Sequence, residues 1–170
     1  FWMLETIREL AGEQLARAGE HASTAAAHAE YFAALAERGE SRFGTSDEAT
    51  LRKGLAYYER ALQLDSAFVR AWSAVARSQS IIIGVNPSKD GVARARFAAE
   101  RTVQLAPGRA EARLAMGTYM RHVALDFTGA RQQYLAGLEH DPNNADLLAS
   151  LATVERAMGK FDDALAHTKQ

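Results

Sequence analysis
Apolar residues recur at three- and four-residue spacing along nearly the whole chain, and no useful stretch alternates apolar with polar positions as a strand would. Trp72, Val75 and Ala76 share one helical face, as do Met116, Met120 and Val123, and again Leu148, Leu151 and Ala152. Tyr58, Ala61 and Leu62, and later Tyr134, Leu135 and Leu138, supply matching faces on partner helices. The pattern predicts an all-α fold. Near the start, Met3, Leu4, Ile7, Leu10, Ala11 and Leu15 form one stripe that Gly19 stops. A second helix, capped by Ser23 or Thr24, presents Ala27, Tyr31, Phe32, Leu35 and Ala36. RGESRFGTSD (38–47) reads as a loop, with Ser46 or Asp47 capping the helix that follows. The last residues, DDALAHTKQ, stop inside a helical pattern, so the helix from Phe161 onward is expected to fray unless something covers it.

The pattern also repeats. ERALQLDS (59–66), ERTVQLAP (100–107) and AGLEHDPN (136–143) close three helices with one cadence. Pro107 and Pro142 are 35 residues apart, and Ser66 and Pro107 are 41 apart. LDFTGA (125–130) and GKFDDA (159–164) each join a turn, an aromatic and a small residue, and Ala130 and Ala164 are 34 apart. A small residue there lets the two helices of a hairpin approach closely. One hairpin cannot cover its own apolar face, so successive hairpins stack and share a core.

These residues resemble tetratricopeptide repeats, whose unit is a helix–turn–helix of about 34 residues. Trp72 matches the early aromatic of the first helix, and Met116-Gly117 and Leu151-Ala152 match its Leu-Gly pair. Ala95, Ala130 and Ala164 match the small residue of the second helix, with Gly54 a weaker match. Tyr58, Tyr134 and Ala61 match later positions, and Pro107 and Pro142 the closing proline, which Ser66 replaces. The resemblance implies antiparallel hairpins stacked as a right-handed α-α solenoid. It divides the chain into a two-helix linker segment (1–45) and repeats (46–170), the last truncated. Thr102 and Gly137 depart from the later small position, and Arg113 stands where an aromatic is usual. The 41-residue spacing implies seven extra residues around GVNPSKDG (84–91), read here as a longer loop.

Composition narrows the chemistry. The 170 residues carry 20 basic and 21 acidic side chains, a net charge of −1, with no cysteine and 48% hydrophobic residues. Mean hydropathy is −0.24. Near-neutral charge argues against nucleic acid or an anionic membrane as the main partner. Without cysteine there are no disulfides, thiolate metal sites or cysteine nucleophiles, which fits a cytoplasmic setting. The longest apolar run is Ile81-Ile82-Ile83, so no membrane span is expected, and no leader pattern lies near Phe1. GVNPSKDG has glycines and a lysine in the wrong order for a phosphate loop. His21, His28, His122, His140 and His167 form no metal-binding spacing; Asp141, Asp162 and Asp163 fall at turns and caps. No nucleophile elbow accompanies the serines. The chain is therefore expected to be non-catalytic, with no cofactor.

In stacked repeats of this kind the first helices line a concave groove that receives an extended or helical peptide. By repeat phase the groove-facing positions are Arg70, Ser73, Arg77, Glu111, Leu114, Thr118, Arg121, His122, Asp146, Thr153 and Arg156. Arginines outnumber acids in that set, which favours a partner bearing carboxylates; the ordinary alternative is a solvated charged face. From residue 69 onward there are 13 basic and 10 acidic residues.

The N-terminal FWMLETIRELAGEQLARAGE…HAEYFAALAE resembles a second family. It is similar to the segment following the winged helix of large bacterial ATP-binding regulators of the STAND/LuxR or cyclase-linked type, where a stretch of the form MLETIREYA…RHAEYF leads into a helical-repeat sensor. Met3 to Glu9, Leu15, Gly19, Glu20 and His28 to Phe32 carry the match, while Leu10 and Ala27 depart from it. The resemblance implies the sensor or partner-binding arm of a signalling or transcriptional regulator, with any ATPase, cyclase or kinase outside this chain. The alternative is a stand-alone or kinase-attached assembly adaptor. Uncapped ends also allow self-association.

Overall fold
The computed structural model describes residues 21–43 and 48–168. They form α1 (His21–Phe43), α2 (Glu48–Leu64), α3 (Val69–Val85), α4 (Lys89–Leu105), α5 (Ala110–Tyr119, prolonged by a π-turn over Met120–Ala124), α6 (Phe127–Leu138), α7 (Ala145–Ala157) and α8 (Phe161–His167). No strand occurs among the described residues. Each helix packs on its neighbours in sequence, and α3–α5 and α5–α7 contacts join the first helices of successive hairpins. The result is an all-α solenoid of four hairpins: α1–α2, α3–α4, α5–α6 and α7–α8.

Local sequence sets the boundaries. The Ser88 hydroxyl caps α4 by accepting from the Gly91 N–H at 3.1 Å. Asp126 caps α6 through the Gly129 N–H at 2.8 Å, and Asn144 caps α7 through the Leu147 N–H at 3.1 Å. Between hairpins the chain turns at Pro107-Gly108 and Pro142-Asn143, where proline cannot continue a helix.

The small residues sit where hairpins close most tightly. Ala95 and Ala130 are fully buried, Ala164 nearly so, and Gly54 fills the equivalent place in α2. Gly117 is required by Tyr134: a Cβ at 117 would lie 2.3 Å from the Tyr134 ring. Thr102, in a slot for a smaller side chain, is fully buried and its hydroxyl donates to the Ala98 carbonyl at 2.8 Å. Arg113 replaces an aromatic and donates to Gln133 at 3.0 Å. One apolar cluster runs from α1 to α5 and a second joins α5, α6 and α7 around Tyr134, Leu147 and Leu151. Each of those fully buried leucines contributes roughly 2 kcal/mol.

Four expectations from the sequence are corrected. The seven extra residues do not form a loop: α3 and α4 are joined by Asn86–Ser88 alone, and each runs 17 residues. Two helical turns take about seven residues, so lengthening both arms by a turn keeps every apolar face in phase. Residues 38–43 are helical, the end of α1, and Ser23 and Thr24 lie inside that helix; the alanine-rich stretch around them favours continuation. The buried face of α1 is also rotated, with Ala29, Ala33 and Ala36 in the core, Phe32 packed on it and Tyr31 56% exposed. Alanines at that spacing let α1 lie close on α2, and the bulkier ring stays at the rim, edge-on to Phe32. The Met3–Leu15 stripe and the Ser46 or Asp47 cap lie outside the described residues.

Candidate functional groove
The stacked first helices leave a groove of about 930 Å³ on one face of the array. Its walls come from α1, α2, α3, α5 and the turns before α5 and α7. Ser73, Ala74, Arg77 and Ile81 form its α3 side, with Leu51 and Tyr58 from α2 on the same wall. Gly108, Arg109, Glu111 and Leu114 face them, and His140, Asp141, Asn144 and Asp146 close the far end.

Six of the eleven groove positions expected from repeat phase come together here: Arg70, Ser73, Arg77, Glu111, Leu114 and Asp146. Arg70 is paired with Glu30 and, at 3.3 Å, with Glu37, so α1 and α3 are tied across the hairpin boundary. Ser73 donates to the Glu111 carbonyl at 2.9 Å and so joins α3 to α5. Arg77 reaches past α5 to Asp146 on α7 at 3.4 Å. Glu111 pairs with Arg109 at 3.0 Å. Leu114 gives the floor an apolar spot.

The other five lie outside the cavity. Thr118 is buried and its hydroxyl donates to the Leu114 carbonyl at 2.8 Å. Arg121 and His122 belong to the π-turn of α5. His122 is half-buried beside Gly84, and its pKa is lowered to about 4 by burial and by the adjacent Arg121. Thr153 donates to the Ala149 carbonyl at 2.7 Å, and Arg156 is exposed in the last turn of α7. Sequence reasoning missed Glu37, Arg109, His140, Asp141 and Asn144. Of these, Asp141 alone reads from the sequence as a turn or cap residue; it accepts at 2.8 Å from the amide of Asn144, which caps α7.

With these additions the lining carries Arg70, Arg77 and Arg109 against Glu37, Glu111, Asp141 and Asp146, a mixed surface and not an arginine-rich one. Among the described residues no group of three or more side chains is arranged to hold a metal ion. No described helix is long and apolar enough to cross a membrane.

Hairpins stacked side by side, with a groove lined by their first helices, define a helical-repeat solenoid. Residues 133–166, from the end of α6 through α7 into α8, match a tetratricopeptide repeat family model. No curated protein sequence matches the chain. Among solved structures the chain is similar to MamA MSR-1, with a TM-score of 0.49 and 14% identity over 90% of this chain and 93% of that one. It is similar to MamA AMB-1 with a TM-score of 0.47 and 15% identity, covering 90% and 88%. YrrB, described as a TPR protein with an unusual peptide-binding site, gives a TM-score of 0.37 and 20% identity, covering 80% of each chain.

Proposed function
We propose that this chain is a non-catalytic protein-interaction scaffold whose groove holds a peptide segment of a protein partner. The observation that carries the reading is the continuous wall from α1 to the α7 turn, which offers backbone, apolar and charged contacts along one track. A cavity of that size takes several side chains of an extended or helical segment. The partner segment is acidic at the position facing Arg77. There its carboxylate exchanges with Asp146, whose pair with Arg77 is exposed on both sides and cheap to open.

The test uses peptides selected by display against the wild-type protein, their affinities then measured on two variants. Arg77→Glu is expected to weaken binding by about tenfold, 1.4 kcal/mol. Asp146→Asn, which frees Arg77, is expected to hold or tighten it. Selected peptides that bind both variants as well as wild type would sink the groove reading.

The wider setting is the sensor or partner-binding arm of a bacterial signalling or transcriptional regulator. Support for it is the MLETIREL…HAEYF string ahead of the repeats. Sequencing the gene upstream of Phe1 tests it. A glycine-rich phosphate loop ending in Gly-Lys-Ser or Gly-Lys-Thr is expected there, and an upstream region without one would remove this setting and leave an assembly adaptor.

A further inference from the structure
The apolar residues of the groove are spaced like one face of a helix. Leu51 and Tyr58 lie two turns apart on α2, and Ala74 and Ile81 lie two turns apart on α3. All four line the cavity. Leu51 and Tyr58 are buried, and Ala74 and Ile81 are half-buried against the core cluster that contains them. Residues 65–68 join α2 to α3, and counting outward from Ser66 brings Tyr58 level with Ala74 and Leu51 level with Ile81. Two apolar spots therefore open into the groove about 10 Å apart along α3, the length of seven helical residues.

A cation stands between the spots. Arg77 is three residues from Ala74 and four from Ile81, hence on their side of α3. Its contact with Asp146 is long, at 3.4 Å, and exposed on both partners, so another carboxylate can take the guanidinium over. Arg70, the other arginine that α3 gives to the wall, is already held by Glu30 and Glu37.

An α-helix carries the matching pattern. Its residues i and i+7 share a face about 10 Å apart, and i+3 and i+4 lie between them on that face. In an extended strand about 10 Å is three residues, and side chains three apart point to opposite sides. Polyproline II brings i and i+3 to one side but turns both residues between them away. On the peptide-groove reading, which this inference needs, we propose that the held segment is an amphipathic helix lying along α3, with large apolar side chains at i and i+7 and an aspartate or glutamate at i+3 or i+4. One apolar side chain enters at Tyr58 and Ala74 and the other at Leu51 and Ile81, while the carboxylate meets Arg77.

The probe is a labelled 15-residue synthetic helix with leucines at i and i+7 and a glutamate at i+3. Its control is an isomer whose leucines stand at i and i+5, about 140° apart around the axis. Fluorescence anisotropy against the full chain is expected to give saturable binding of the first peptide and binding at least about tenfold weaker for the isomer. Changing either leucine to alanine is expected to cost about tenfold on the wild-type protein. Ile81→Ser is expected to weaken the first peptide by about tenfold, and on that variant one of the two leucines can become alanine with no further loss. No saturable binding of the first peptide, equal binding of the two isomers, or leucine changes without effect on the wild type each overturn the proposal. Display-selected peptides that need Arg77 but carry no apolar pair seven apart also overturn it, and leave the groove reading standing. Selected peptides indifferent to Arg77 sink both.

Discussion

At the scale of single residues, two positions convert local geometry into measurable stability. His122 is neutral in the folded chain down to a pKa of about 4, because burial and then Arg121 disfavour its charged form; the reference value is 6.5. Between those two values the unfolded chain binds a proton that the folded chain does not. Stability therefore falls as pH falls through that window, and above pH 6.5 the group contributes nothing. Urea midpoints at pH 7.5 and 4.5 are expected to drop further for wild type than for His122→Gln, and parallel drops would refute this. Leu125 closes the π-turn with φ of 55° while its side chain is 68% exposed. The left-handed conformation costs a non-glycine residue about 1–2 kcal/mol and here little burial offsets it. Leu125→Asn is expected to raise stability by roughly 0.5–1 kcal/mol in thermal or denaturant unfolding. Neither effect was legible in the sequence. His122 reads as one more polar position on a helix, and the depth of its burial depends on Gly84 from a different hairpin.

At the scale of elements, α8 is the weak point. It has seven residues with Ala164 buried, while Phe161 and Leu165 are 67% and 55% exposed. What fastens it is charge. Glu155 on α7 is fully buried, accepts from Arg131 of α6 at 3.0 Å and meets His167 of α8 at 2.8 Å. Removing one member of a buried pair commonly costs 3–5 kcal/mol. Arg131 also has Asp163 at 3.6 Å, so Glu155→Gln is expected to cost less, about 2 kcal/mol. Hydrogen exchange should show α8 opening ahead of α7 in the wild type and faster still in the variant, with α3 unchanged. Equal protection of α8 and α7 would contradict this. Helix pairing was readable beforehand because its marks are local: Ala95, Ala130 and Ala164 recur on schedule, and Pro107 and Pro142 punctuate. The face of α1 was not. Tyr31 and Ala33 both fit an apolar stripe, and the choice between them is made by how closely α2 approaches.

At the scale of the whole molecule, the groove was partly readable for the same reason. Repeat phase tells which side of a helix faces inward, and Arg70, Ser73, Arg77, Glu111, Leu114 and Asp146 followed from it. It does not tell how far along the helix the groove reaches. Thr118, Arg121 and His122 continue the phase of Leu114 past the end of the cavity, as Thr153 and Arg156 do on α7. Nor does it foresee ties between hairpins, such as those from Arg70 to Glu30 and Glu37. The long α3–α4 hairpin leads further. Because its extra length is divided between both arms, shortening α3 by four residues and α4 by three at their joined ends is expected to give a folded, cooperatively unfolding protein. Removing five residues from the middle of α3 instead turns everything beyond the cut by about 140° and should abolish cooperative unfolding; cooperative unfolding of that variant would refute this. Arrays of this build can thus be edited in units of two helical turns, so hairpins of unequal reach can be inherited, exchanged or spliced next to one another without redesigning the seams between them.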